Sequence, residues 1–135
     1  MAGKGATRDA APRHPHLLWW FVDDPRPSAA ARAAITEAAN EIMVSAASAW
    51  EIATKHRLGK VPEAEGAVTR WRQLLAADDF VVATIRDDHG LRAAAYPVEH
   101  RDPFDRILAA QAELDDWTLV TADPAFKLLP VRTLW

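Results

Sequence analysis

Short apolar runs alternate with longer amphipathic stretches along this chain. "EIMVSA", "FVVATI" and "WTLVTA" are brief, apolar and rich in β-branched residues, and "VRTLW" ends the chain in the same way. They predict strands, "EIMVSA" a buried one. Between them lie stretches with helical spacing and recognisable ends. Ser28 can cap a helix through "AAARAAITEAA". "SAASAWEIATKHRLGK" predicts a helix that starts at Ser45 or Ser48 and stops at Gly59. A helix over about Ala64 to Ala77 follows Pro62, "RDDHGLRAAAYP" predicts a short one ended by Pro97, and Pro103 to Leu114 another. "DPAFKLL" predicts a turn of helix. Strands that alternate with helices imply an α/β fold with a mainly parallel sheet covered on both faces. The first sixteen residues, "MAGKGATRDAAPRHPH", have no periodicity and read as a disordered tail. Order begins at the apolar "LLWWFV", which "DDPRPS" breaks. The expected organisation is a tail over 1–16 and one domain over 17–135.

Bulk properties narrow the function classes. A 135-residue chain that is 50% hydrophobic can bury one core. The net charge of −3 provides no global positive field, so contact with nucleic acid must rest on a local patch. The absence of cysteine excludes disulfides, thiolate metal sites and thiol nucleophiles. It fits a reducing cytosol, and a cytoplasmic location is expected. No apolar run approaches the ~20 residues that span a bilayer, and the N-terminus lacks the apolar segment of a secretory signal.

In open α/β sheets, ligands bind beyond the carboxyl ends of the strands. Ser45, Thr121 and Asp123 directly follow apolar runs. Glu51 lies in the helix that leaves "EIMV". Each acid has two readings. In "HRDPFDRILAAQAE", Asp102 suits the N-cap, Pro103 the first helical position and Asp105 the third, where its charge favours the positive helix end. The Asp105 side chain points back over the first turn, toward the strand ends. Asp123, in "TADPAF", is a cap or a ligand. Glu51 can pair with Lys55 at i+4 on a solvated face. Against that, "SAASAWEIA" is otherwise small and apolar, and a buried carboxylate there needs a partner. Hard divalent cations take oxygen ligands and bind through a few carboxylates plus water and phosphate. These acids are distant in sequence, and no short metal motif unites them.

Four blocks in this order and spacing, "LLWWFVDDPRPS", "VSAASAWEIATKHRLGKV", "HRDPFDRILAAQA" and "TLVTADPAF", resemble the PIN-domain ribonucleases, and most of all their VapC-type toxins. The resemblance runs from about Leu17 to Trp135. It implies a three-layer α/β/α fold, dependence on Mg²⁺ or Mn²⁺, and cleavage of structured RNA such as transfer or ribosomal RNA. It also implies a VapB-like antitoxin that inserts a peptide into the active site, and a homodimer. Of the family's four acids, three fall on Glu51, Asp105 and Asp123, as catalytic and metal-binding residues. Asp102 and Thr121 would support them.

The fourth acid has no counterpart. Family members open with an apolar strand ending in Asp-Thr-His or Asp-Ser-His, directly before the "LLWW" segment. Aligned without a gap, that aspartate falls on Arg13, and with one inserted residue on Pro12. Asp9 lies four residues too early and follows no apolar strand. The first central strand is therefore expected to be missing or replaced, and RNA cleavage by this chain reduced or lost. A shifted reading frame or misplaced start over the first residues would explain both defects. If neither other frame of the first ~50 nucleotides encodes an apolar strand ending in Asp-Thr/Ser-His, that explanation fails. A non-catalytic remnant that binds an antitoxin or a sister toxin is the alternative. Helix caps in an unrelated α/β binding domain are a third reading.

The remaining candidates carry less. His14 and His16 form a poor preformed metal site in a proline-rich tail. His56, His89 and His100 fall at polar positions and are expected to be solvated. Trp19 and Trp20 are expected in the core and in a dimer or antitoxin groove, or as a platform for RNA bases. Lys55, Arg57 and Lys60 cluster near a helix end, where the dipole favours them. With Arg101 and Arg106 they form the candidate RNA-phosphate contacts.

Overall fold

The computed structural model describes residues 16–19, 28–99 and 102–135. Five parallel strands form one sheet in the order β3-β2-β1-β4-β5. They are β1 His16–Trp19, β2 Glu41–Ser45, β3 Val81–Ala83, β4 Thr118–Val120 and β5 Arg132–Leu134. Helix α1 (Ala29–Thr36) precedes β2. Helices α2 (Ala46–Arg57), α3 (Glu65–Thr69) and α4 (Trp71–Ala77) join β2 to β3. Helices α5 (Asp87–Ala95) and α6 (Pro103–Leu114) join β3 to β4. Short 3₁₀ turns lie at Pro62–Ala64 and Pro124–Leu128.

The centre of the sheet is filled, and by an unexpected segment. "HLLW" itself is β1, with Leu17 opposite Ile42 and Thr118, and Leu18 opposite Met43 and Leu119. Of the two expectations, missing or replaced, the strand is replaced. Leu17, Leu18 and Trp19 are all buried, as a central parallel strand requires. Leu17, Leu18 and Trp19 of the family-like "LLWW" segment thus belong to the strand itself.

The pleat divides the core. Leu18, Met43, Ala83 and Leu119 face α5 and α6 and pack on Ala93, Tyr96, Leu108 and Phe126. Leu17, Trp19, Ile42, Val44 and Val120 face the other side and meet Ala31, Leu75 and Trp71. The layers are those of an α/β sandwich, as expected. Most helix ends follow the expected chemistry. Ser28 accepts from Ala31 N, and Gly59 takes the left-handed φ of 77° that closes α2. The helix expected over Ala64 to Ala77 is broken at Arg70, whose φ of −130° and ψ of 37° leave the helical region. Among the described residues no helix is long and apolar enough to cross a membrane.

Candidate functional site

β2 runs straight into α2. Ser45 ends the strand and caps the helix, its Oγ accepting from Ala47 N at 3.0 Å. This pins the first turn of α2 at the carboxyl edge of the sheet. Glu51, in the second turn, is only 5% exposed. Its Oε2 lies 3.1 Å from Lys55 Nζ. Its Oε1 is buried and has no hydrogen-bond partner among the described residues. The expected Glu51–Lys55 pair is present, but its carboxylate end is in the interior rather than on a solvated face.

Asp105 is buried in the first turn of α6. Helix α6 is held against α2 by Trp50 and Phe104, which meet edge-on with centroids 4.9 Å apart. Glu51 and Asp105 are the next residues in sequence to these two rings. Asp102 is exposed and is the N-cap, its Oδ1 accepting from Phe104 N at 2.9 Å. The cap sets the helix and the helix carries Asp105 to Glu51. Burial pushes the Glu51 carboxyl up to about 7. The hydrogen bond and charge of Lys55 oppose that rise, and the charges of Asp102 and Asp105 add to it.

Asp123 follows β4 at the same edge. Its N–H donates to Thr121 Oγ1 at 3.1 Å, and its Oδ1 accepts from Ala125 N at 2.9 Å. Thr121 is buried, so it fixes the turn that presents Asp123. The charges that act on Glu51 are those of Lys55, Asp102 and Asp105. The structure therefore gathers Glu51, Asp105 and Asp102, with Asp123 a strand away, capping its own turn. Among the described residues, no three His, Cys, Asp or Glu side chains are close enough together to hold an ion by themselves.

The donors nonetheless suit a hard cation in one respect. Glu51 Oε1 is a buried carboxylate oxygen without a hydrogen bond, beside a second buried carboxylate. One or two carboxylates, completed by water and substrate phosphate, is the usual way a protein holds Mg²⁺. Ser48, which the sequence offered only as an alternative helix start to the actual cap Ser45, also lies here. Its Oγ is buried and without a hydrogen bond among the described residues, one turn before Glu51 on the same helix face. The i, i+3 spacing was its only signal.

Other candidates fall elsewhere. His89, expected in solvent, is fully buried. Its Nδ1 accepts from Arg86 N at 2.9 Å, so Nε2 carries the proton and donates to Asp115 Oδ2 at 3.1 Å. It ties α5 to the end of α6. Arg106 does not offer a free cation: its guanidinium donates to the carbonyls of Ala93, Tyr96 and Val98, closing the end of α5. Trp19 is in the core and stacks on Trp135 at 6.3 Å. His56 is half-buried, and Arg57 and Lys60 are exposed. His16 pairs through its backbone in β1. His14, His100, Arg101, Trp20, Arg13, Pro12 and Asp9 lie outside the described residues.

Residues 16–131 match the model of the PIN domain. Over 60 residues, the chain is 45% identical to Ribonuclease VapC16 of Mycobacterium tuberculosis. That alignment covers 44% of this chain and 38% of the relative, so the chain spans well under half of the relative's length in it. Among solved structures, it superposes on VapBC2 from Rickettsia felis, bound to a DNA fragment from their promoter, with a TM-score of 0.60. That match is 14% identical and covers 88% of this chain and 97% of the other. It also superposes on FitAB bound to the IR36 DNA fragment, with a TM-score of 0.55 and 19% identity, over 87% of this chain and 93% of the other. At these identities the two structures speak for the fold.

Proposed function

From the premise that the chain belongs to the PIN-domain family, we propose that it is a VapC-type endoribonuclease by descent, with cleavage reduced or lost. The observation that carries the reading is the buried Glu51 carboxylate, one oxygen without a hydrogen bond among the described residues, near enough to Asp105 to feel its charge, at the carboxyl edge of a parallel sheet. Glu51 and Asp105 would hold a single Mg²⁺ or Mn²⁺, with Asp123 closing the site from the end of β4. A bound ion supplies an oriented, acidified water and offsets charge on the phosphodiester. The chain's own residues do the positioning. Asp102 fixes the first turn of α6, Thr121 fixes the Asp123 turn, and Ser48 lies where its hydroxyl can bond a ligand water. Lys55 supplies a cation at the rim.

The reading of reduced activity is supported by the sequence: the family's first acid would fall on Arg13 or Pro12, neither of which can bind a metal, and the four residues His16–Trp19 contain no carboxylate. One fewer ligand loosens the ion and its orientation together. A VapB-like antitoxin and a second copy of the chain are the partners this reading carries. The absent acid also favours the second reading, a non-catalytic remnant that still binds antitoxin.

The test is a cleavage assay on transfer and ribosomal RNA with Mg²⁺, run beside capture of the antitoxin encoded next to this chain. Little or no cleavage with antitoxin binding retained is the expected result. Robust cleavage that vanishes in Asp105→Asn would show that three acids suffice. Cleavage indifferent to Asp105→Asn would contradict the assigned site.

A further inference from the structure

We propose that Lys55 is the resident cation of the buried Glu51 carboxylate and that it moves from Glu51 to a substrate phosphate when a divalent ion binds there. The inference rests on the metal reading above and adds an exchange of partners to it. Lys55 Nζ lies 3.1 Å from Glu51 Oε2, and the two side chains are unequally buried, 33% exposed for lysine and 7% for glutamate. The ammonium therefore reaches an interior carboxylate from the solvent side. An ordinary i, i+4 pair has both ends in water and stabilises a helix by only a few tenths of a kcal/mol. Here the carboxylate is removed from water, lies near Asp102 and Asp105, and has Lys55 as the neighbouring cation that acts on it. A buried Glu51 carboxylate without a counter-cation would be strongly unfavourable.

Lys55 is also built to leave. It stands in the last turn of α2, followed by His56 and Arg57. Its ammonium ends a flexible four-carbon stem and can rotate outward without disturbing the helix. Arg106 is the contrast, since its guanidinium is fixed by several backbone carbonyls of α5 and its connection to α6. A divalent ion on Glu51 would repel the neighbouring Lys55 ammonium, while an RNA phosphate drawn to that ion would attract it. The same side chain can thus neutralise Glu51 before the ion binds and position the phosphate afterwards.

Mg²⁺ is titrated by calorimetry into the full chain and its Lys55→Met and Lys55→Arg variants at pH 8.5, above the range in which Glu51 titrates. Transfer RNA binding is measured in parallel by filter retention. Lys55→Met is expected to bind Mg²⁺ about tenfold more tightly and RNA several-fold more weakly. Lys55→Arg should keep both close to the parent chain. In the parent chain, the Lys55 Cε resonance should move as Mg²⁺ saturates, which keeps the test open if Lys55→Met does not fold. Mg²⁺ binding that weakens in Lys55→Met, or a Lys55 resonance that stays in place at saturation, overturns the exchange and leaves the metal site standing. No Mg²⁺ binding by the parent chain overturns the metal site and the exchange together.

Discussion

Trp50 and Phe104 meet edge-on, 4.9 Å between ring centroids, and this contact bridges the two helices that carry Glu51 and Asp105. Trp50 is otherwise 69% exposed, so its packing on Phe104 is its tie to the fold. Aromatic pairs of this geometry contribute ~0.5–1.5 kcal/mol beyond burial. Trp50→Ala should therefore lower stability by about 1 kcal/mol in urea denaturation, while weakening Mg²⁺ binding more than that modest loss suggests. Equal Mg²⁺ affinity in Trp50→Ala would mean that the ring contact does not set the spacing of the acids.

Glu51 makes stability depend on pH in an unusual direction. Its carboxyl is raised from 4.5 to about 7, chiefly by burial. Between those values the folded chain holds a proton that the unfolded chain has released. Its contribution to stability is therefore lost as pH rises from about 4.5 to 7, and stays lost above. Glu51→Gln removes the dependence. Without metal at pH 8, it should be more stable than the parent chain by on the order of 2 kcal/mol, with the gap closing as pH falls toward 4.5. Thermal unfolding across that range reads it directly. A variant less stable than the parent at pH 8 would show that the Lys55 ion pair outweighs desolvation.

Leu18 is fully buried in β1, opposite Met43 and Leu119. Leu18→Ala should cost about 2–5 kcal/mol by denaturant titration, as expected of the middle of a core. A loss below ~0.5 kcal/mol, the range of surface substitutions, would mean that "HLLW" is not the central strand.

Much of this arrangement is legible because strands leave short apolar runs rich in β-branched residues: "EIMVSA" is buried on both faces, and "FVVATI" still reads as a strand although Val81, at the sheet edge, is exposed. Asp102 and Ser28 were readable as caps because capping is local chemistry. What was missed depends on tertiary contacts. The family pattern puts "LLWW" after a strand and His16 in the tail, and only the pairing of His16–Trp19 with β2 and β4 shows that this segment is a strand. His89 looked solvated among "RDDHG", yet it shares a helix face with Ala93 and Tyr96, and both of those are buried. The break at Arg70 has no signal in the residues around it. Glu51 was ambiguous in isolation, and what resolves it is the packing of α6 on α2, which no local pattern contains.

The most direct test of the account is Mg²⁺ titration by calorimetry into the parent chain, Glu51→Gln and Asp105→Asn under one set of conditions at pH 8. One saturable site in the parent chain, lost in both variants, is the predicted result. A parent chain that binds no Mg²⁺, or a variant that binds it as well as the parent does, would contradict the claim that Glu51 and Asp105 form a single cation site.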